Sequence, residues 1–512
     1  MSGVLTDTDA RPQATARGIG NQPLALWECL SGALIFFFVP LYRAGDPLLA
    51  YHAKASVAVD LLVVGGAAIA IAFLFWIIGQ LARRQAALAA LLPLAWFASG
   101  YTDSGARRII GFALLAVCIF AACKWPQRVR ALASDAFAVL LFPAGWLLLR
   151  ALWFALVVYP PAAFADVAPV HLALTATPAH RVVWIVFDEL SERAAEESLA
   201  VGAMPNWNAL LEESIAAQDA HSPAHNTLLS LPSLTTGVRV VGATPHGPRD
   251  LAIRLASGQT VSWSGADTIF SWARGRGFAT SIVGWYHPYG RLFGGDVVRS
   301  VWAPLPLQFG IRVGAAEIAS VLRADLSYVP LARRTGLLHL RRLEWENHST
   351  ILQTLWPAAI DEAANTSRAL VFLHLSIPHP PGIWDPAAQK FDTAHPHSYA
   401  ENLPLVDLFL GRMRQQMEKT GAWRNTVLLI TSDHTWRKSE WRNDPAWTAA
   451  DALTQVDDRV PFVVHFPGAA GVRIAGPIEN LVSRQLAQNI LTGRVRSTAE
   501  AREWLVSEGS GR

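Results

Sequence analysis

Several acidic and imidazole side chains in this sequence stand directly after apolar, β-branched runs. Asp188 and Glu189 follow VVWIVF (182–187), Asp433 and His434 follow a run ending at Ile430–Thr431, His374 lies near the end of a third run, and His379 is just beyond it. In an open α/β sheet, chemistry collects beyond the carboxyl ends of the strands. Carboxylates and imidazoles converging on one such edge would hold a divalent metal. The alternative is that they cap helices and satisfy loop amides. The stretch SPAHNTLLSLPSLTTG (222–237) adds a hydroxyl, Thr227, in the setting of a helix start. There it would face free backbone N–H groups and the positive end of the helix, where an anionic phosphoryl group binds readily. The alternative is a plain N-cap threonine.

The surrounding pattern says what positions these residues. Strands are expected at 182–187, 280–285, 369–375, 425–432 and 459–466, and helices at 206–217, 267–277, 351–364 and 402–419. Continuous apolar runs suit strands buried on both faces, so an α/β fold is expected, a mixed, largely parallel sheet with helices on both faces. Residues 241–263, rich in Gly, Pro and Ser, read as a loop or β excursion.

Composition divides the chain in two. Of 512 residues, 52% are hydrophobic and only 16% charged, and the net charge is +3. Disorder over most of the length is excluded, and the near-balanced charge gives no support for nucleic-acid binding by phosphate neutralisation. Three cysteines, Cys29, Cys118 and Cys123, do not make a disulfide framework and leave the rest of the chain without a thiol nucleophile or ligand. The apolar weight lies in the first 160 residues, where five membrane spans are expected at about 24–41, 56–78, 85–100, 108–123 and 134–159. Seven basic residues (Arg11, Arg17, Arg83, Arg84, Lys124, Arg128, Arg130) against four (Arg43, Lys54, Arg107, Arg108) favour a cytoplasmic N-terminus. The large domain then faces outward. The expected organisation is a cytoplasmic segment (1–23), a transmembrane helical bundle (24–160), a linker (161–180), a catalytic domain (181–482) and a C-terminal helix or tail (483–512).

Seven stretches in order resemble the alkaline phosphatase and sulfatase superfamily, and within it the membrane-anchored, sulfatase-like phosphoethanolamine and phosphoglycerol transferases. They are IVFDE (185–189), TLLSLPSLTTG (227–237), GRGFATSIVGWYH (275–287), HLSIPHPPG (374–382), ENLPLVDLFLGRM (401–413), NTVLLITSDH (425–434) and RVPFVVHFPG (459–468). The resemblance implies an alkaline-phosphatase-like sheet and one divalent metal (Zn²⁺, Mn²⁺ or Mg²⁺) held by Asp188, Asp433, His434 and the oxygen of Thr227, with Glu189 as a further candidate ligand. It also implies Thr227 as nucleophile and His287 and His379 as donors to phosphoryl oxygens. For a second ion, His225, His379 and His465 are the available histidines. The sulfatase motif C/S-x-P-x-R is absent, because Thr227, Leu229 and Leu231 occupy its three places. Sulfate-ester hydrolysis is therefore not expected. The Lys of the family's GKWH stretch is Trp285 here.

The implied activity is transfer of a phospho-substituent from a phospholipid donor to an envelope lipid or glycan acceptor, through phosphothreonine, on the outer (periplasmic) face of a cell (inner) membrane. The alternatives are a phosphodiesterase or phosphatase of the same superfamily and a non-catalytic membrane regulator on the same fold. The stretch HTWRKSEWRNDPAW (434–447) reads either as an interface for anionic substrate or as a surface loop whose tryptophans pack on the domain.

Overall fold

The computed structural model describes residues 24–36, 41–42, 45–53, 57–81, 116–169, 176–303, 340–442 and 447–508. The chain forms two compact units. One comprises Met1–Tyr42, Leu61–Ala151 and Asp325–Thr335; the other comprises Arg43–Asp60, Leu152–Ala324 and Gly336–Arg512.

The second unit is built on an eight-stranded sheet. Its strands are β1 (Arg181–Asp188), β2 (Ile215–His221), β3 (Thr280–Trp285), β4 (Arg299–Ala303), β5 (Leu370–Pro378), β6 (Thr426–Ser432), β7 (Phe462–His465) and β8 (Val472–Glu479), in spatial order β8-β2-β7-β6-β1-β5-β3-β4. All residues of β1, β5 and β6 are buried, which is why these strands are continuously apolar rather than alternating. The period-2 geometry of β1 still sorts its residues. Val183, Ile185 and Phe187 face a core with Leu352, Leu355, Phe409 and Met413, from helices Leu340–Ala364 and Tyr399–Thr420. Val182, Trp184 and Val186 face a second core with Leu231, Leu234, Phe270 and Leu486, from helices Thr227–Thr236, Ile269–Gly275 and Ser483–Thr492. Each fully buried large apolar side chain contributes roughly 1.5–3 kcal/mol, so the three-layer sandwich is stabilised from both sides. The expected α/β fold with helices on both faces is present.

Several elements differ from the expectation. The helix placed at 206–217 ends at Leu211, and Ile215–His221 is a strand. Its composition, IAAQDAH, favours a helix locally, but pairing with β7 and β8 prevails. The last expected strand shortens to β7; it runs antiparallel to both neighbours, which makes the sheet mixed as expected. At 241–263 the β excursion, one of the two expected readings, is the one present, as most of a three-stranded antiparallel sheet, Val240–Pro245, Leu251–Leu255 and Thr260–Ser262. The C-terminal stretch forms two helices, Ser483–Thr492 and Thr498–Glu508.

Of the expected five spans, the described residues show a part. Among the described residues, one helix is long and apolar enough to cross a membrane, Pro126–Val158. Within the first expected span, Leu26–Phe36 is helical, and residues 37–40 lie outside the described residues. The second lies in the 25-residue helix Val57–Leu81, which holds the apolar stretch Val64–Gln80. The third, and the fourth up to residue 115, lie outside the described residues. In the first unit, Glu28 and Arg130 form a buried pair with contacts of 2.7 and 2.5 Å.

Candidate active site

Strand register brings the first carboxylates together. β1 and β6 are parallel, with Phe187 opposite Ser432, so Asp188 and Asp433 leave adjacent strands at the same level. β5 lies on the other side of β1, with Val186 opposite His374. The ligand atoms of Asp188, His374 and Asp433 all lie within 4.8 Å of one another. His434 joins them, its Nε2 standing 3.3 Å from Asp433 Oδ2 and 3.8 Å from Asp188 Oδ1.

Thr227 arrives from a different layer. Asn226 caps its helix, with the side-chain oxygen accepting from the Leu229 N–H at 3.0 Å. Thr227 is therefore the first helical residue rather than the cap. Gly237 closes the helix at φ 68°, a left-handed conformation suited to glycine. Thr227 Oγ1 lies 3.4 Å from Asp188 Oδ2 and 3.3 Å from His434 Nε2.

Asp188, His374, Asp433 and His434 are fully buried. Asp188 Oδ1, Asp433 Oδ2 and His374 Nε2 have no hydrogen-bond partner. Orphaned buried polar atoms are costly, and a bound cation would satisfy all three. The imidazole tautomers fit as well. His434 Nδ1 lies 3.0 Å from the Thr435 carbonyl and His374 Nδ1 lies 3.1 Å from the Trp285 carbonyl. A carbonyl only accepts, so both rings carry the proton at Nδ1 and turn the Nε2 lone pair into the cluster. Burial pushes His374 down to about 3 and His434 to about 4, so both are neutral donors at pH 7. Burial, then the charge of Asp433, holds the Asp188 pKa well above the usual carboxylate range, and burial pushes Asp433 up to about 7. A cation reverses that pressure on both carboxylates. Two carboxylates with two imidazoles form a mixed O/N donor set for a divalent cation.

His374 is missing from the ligand set that the family resemblance implies. Its place at a strand end was visible, but its approach to Asp188 (3.7 Å) depends on strand order. Tyr289 Oη lies 3.0 Å from His374 Nδ1. A Cβ at Gly284 would stand 2.6 Å from Tyr289 Cε2 and 3.1 Å from His374 Cβ, so only glycine leaves room for this approach.

The other candidates take different places. Glu189 is buried in a left-handed backbone conformation (φ 60°), and its carboxylate is held by Arg437 Nε at 2.6 Å. His287 is buried beside Thr227, with Nε2 3.4 Å from the Thr227 carbonyl, and burial holds its pKa well below the usual value. His379 packs its ring against Trp285, Trp441 and His348. His225 is exposed, and His465 stacks on Trp423 near the opposite end of β6. The tryptophan-rich loop packs on the domain through Trp436, which stacks on Tyr399 at 4.2 Å with rings 1° from parallel. Tyr399 Oη in turn donates to the Glu189 carbonyl at 2.7 Å.

Comparison with solved structures finds a sulfatase from Pseudoalteromonas sp. (15% identity, TM-score 0.40, 62% of this chain and 68% of that chain covered). It also finds the lipoteichoic acid synthase LtaP from Listeria monocytogenes (12% identity, TM-score 0.36, 65% and 76% covered). A third is the murine ectonucleotide pyrophosphatase/phosphodiesterase 5 (11% identity, TM-score 0.37, 61% and 95% covered). No curated protein matches the chain. The Sulfatase family model matches residues 180–491. That match runs from β1 through the helix after β8, across every strand of the sheet and every residue of the metal cluster, and the chain belongs to the Sulfatase family.

Proposed function

We propose that this protein is a metal-dependent phosphotransferase that works through Thr227, taking a phospho-substituent from a phospholipid donor and passing it to an envelope lipid or glycan. The observation that carries the reading is the hydroxyl of Thr227 at the first turn of its helix, 3.4 Å from Asp188 and 3.3 Å from His434. A cysteine or serine for formylglycine is absent from this place, so a phosphoryl rather than a sulfuryl substrate suits the hydroxyl.

Asp188, His374, Asp433 and His434 would hold one divalent cation, which supplies Lewis acidity to a phosphoryl oxygen and lowers the pKa of a coordinated hydroxyl. Thr227 Oγ1 forms a bond to phosphorus as the P–O bond to the donor's alcohol breaks. The proton lost by Thr227 is balanced by the one the departing alcohol takes up. The helix N-terminus and His287 face the transferring group, where charge is spread over its oxygens. The acceptor hydroxyl then attacks phosphorus, the Thr227 O–P bond breaks, and the hydroxyl is restored. Water in place of the acceptor makes the same reaction a hydrolysis.

Helix Pro126–Val158 supports a membrane setting. Leu132, Val139, Phe142, Trp146, Leu149 and Leu156 are 60–82% exposed at three-, four- and seven-residue spacing, an apolar face of the kind lipid covers. In this reading the catalytic domain works outside the cytoplasm beside its lipid donor. The test is mass spectrometry of the full-length protein incubated with phosphatidylethanolamine or phosphatidylglycerol vesicles. A phosphothreonine adduct at residue 227 and acceptor-dependent product are expected. Product without acceptor at an equal rate assigns a hydrolase, and unmodified Thr227 with full turnover rejects the covalent route.

A further inference from the structure

The segment Pro47–His52 lies far upstream of β1, between the first two apolar stretches, yet it folds into the α/β unit. Asp46 caps its helix at Leu48 N (2.9 Å). Arg291, 2% exposed, binds the carbonyls of Tyr51 (3.0 Å) and Ala53 (2.7 Å), and its guanidinium lies over the Trp302 ring at 4.8 Å. Tyr51 and His52 are fully buried, with the His52 ring against Tyr286 at 4.6 Å. The Tyr51 hydroxyl, 236 positions away in sequence, meets His287 Nδ1 at 2.8 Å.

That bond decides which nitrogen of His287 carries the proton. Its Nε2 faces the Thr227 carbonyl at 3.4 Å, an atom that only accepts. The Tyr51 O–H donates to the Nδ1 lone pair, so the neutral ring holds its hydrogen at Nε2. Burial holds the Tyr51 phenol pKa well above its usual value, which keeps the hydroxyl a donor. Arg291 lies in the short helix Tyr289–Phe293 just after His287, so this stretch grips the upstream segment while that segment grips the imidazole.

We infer that Tyr51 is a positioning residue for His287, fixing the imidazole as an Nε2–H donor on the Thr227 side of the site. The inference rests on the reaction proposed at Thr227. The Nε2–H makes only a long contact with the Thr227 carbonyl, 3.4 Å, so it can be shared with an oxygen of a phosphoryl group on Thr227, which a lone pair there would repel. The segment before the second apolar stretch is thereby part of the site, although it lies outside the matched residues 180–491.

The experiment uses the full-length, metal-loaded protein in nanodiscs, with bis(4-nitrophenyl) phosphate as substrate and inorganic phosphate as a binding probe read by calorimetry. Tyr51→Phe keeps the ring and removes only the hydroxyl. It should lower kcat about 10- to 100-fold with KM within about twofold, as loss of an orienting partner does. It should also weaken inorganic phosphate binding severalfold. In a His287→Ala background the same substitution should add less than about a twofold further effect, because its route is gone. Wild-type kcat and phosphate affinity in Tyr51→Phe, or a full multiplicative effect in the His287→Ala background, would overturn the assignment. If the wild type turns over no phosphodiester, the proposed reaction falls. The phosphate measurement then decides Tyr51 alone, where equal affinity or no binding by either protein overturns the role.

Discussion

Thr227 and His434 meet at 3.3 Å from positions 207 residues apart, one on the first turn of a helix and the other just past the end of β6. The helix packs on one face of the sheet through Leu231 and Leu234, and this packing sets the depth at which the hydroxyl reaches the carboxylates.

Removing that hydroxyl should abolish chemistry without unfolding the protein. Thr227→Ala is expected to lose at least about 1,000-fold in turnover, the scale seen when a nucleophile or its essential partner is deleted. Thr227→Ser keeps an oxygen and should retain measurable activity. Steady-state kinetics with circular dichroism as a folding control checks both.

The cation should depend on the imidazole of β5 as well as on the carboxylates. His374→Ala and Asp433→Ala are each expected to lower metal affinity by at least about 10-fold. His465→Ala, on a ring stacked against Trp423 away from the cluster, should leave it unchanged. Metal content by inductively coupled plasma mass spectrometry after dialysis distinguishes them. Full occupancy in His374→Ala would remove that residue from the ligand set.

Stability with and without metal should diverge as pH rises. In the metal-free protein, burial pushes Asp433 up to about 7, and Asp188 is raised as well. A carboxylate with a raised folded pKa favours folding when protonated. Its contribution is full below the unfolded value near 3.9 and is lost as pH rises through about 7. A cation binds the ionised pair, so the rise in Tm on adding Zn²⁺ or Mn²⁺ should grow between about pH 5.5 and about pH 8. A constant or shrinking increment in scanning fluorimetry would contradict the sign.

Glu189 depends on Arg437. The carboxylate is fully buried, and Arg437 is its charged partner at 2.6 Å. Arg437→Met should destabilise the fold by about 3 kcal/mol by leaving that charge uncompensated. Restoring neutrality with Glu189→Gln in the same chain should recover a large part of the loss. Denaturant unfolding of the single and double variants reads the coupling.

At Gly284, a methyl group would intrude on Tyr289 and His374. Gly284→Ala is expected to cost about 1–3 kcal/mol through overpacking and to weaken metal binding by displacing His374. Thermal stability and metal content should fall together.

The sequence by itself determined the central strands, because β1, β5 and β6 are buried on both faces and must be continuously apolar. It also placed Asp188, Asp433 and His434 at strand ends and Thr227 at a helix start, since turns and caps are local chemistry. Tertiary structure decided what no local pattern encodes. The alanine-rich Ile215–His221 becomes a strand only because β7 and β8 offer hydrogen-bonding edges. His374 joins the ligand cluster only because β5 lies beside β1. Tyr51 reaches His287 only because its segment is buried in the α/β unit. Such contacts are selected by the global burial of apolar faces and the pairing of strand edges, which act between residues hundreds of positions apart and leave no periodic mark on the chain.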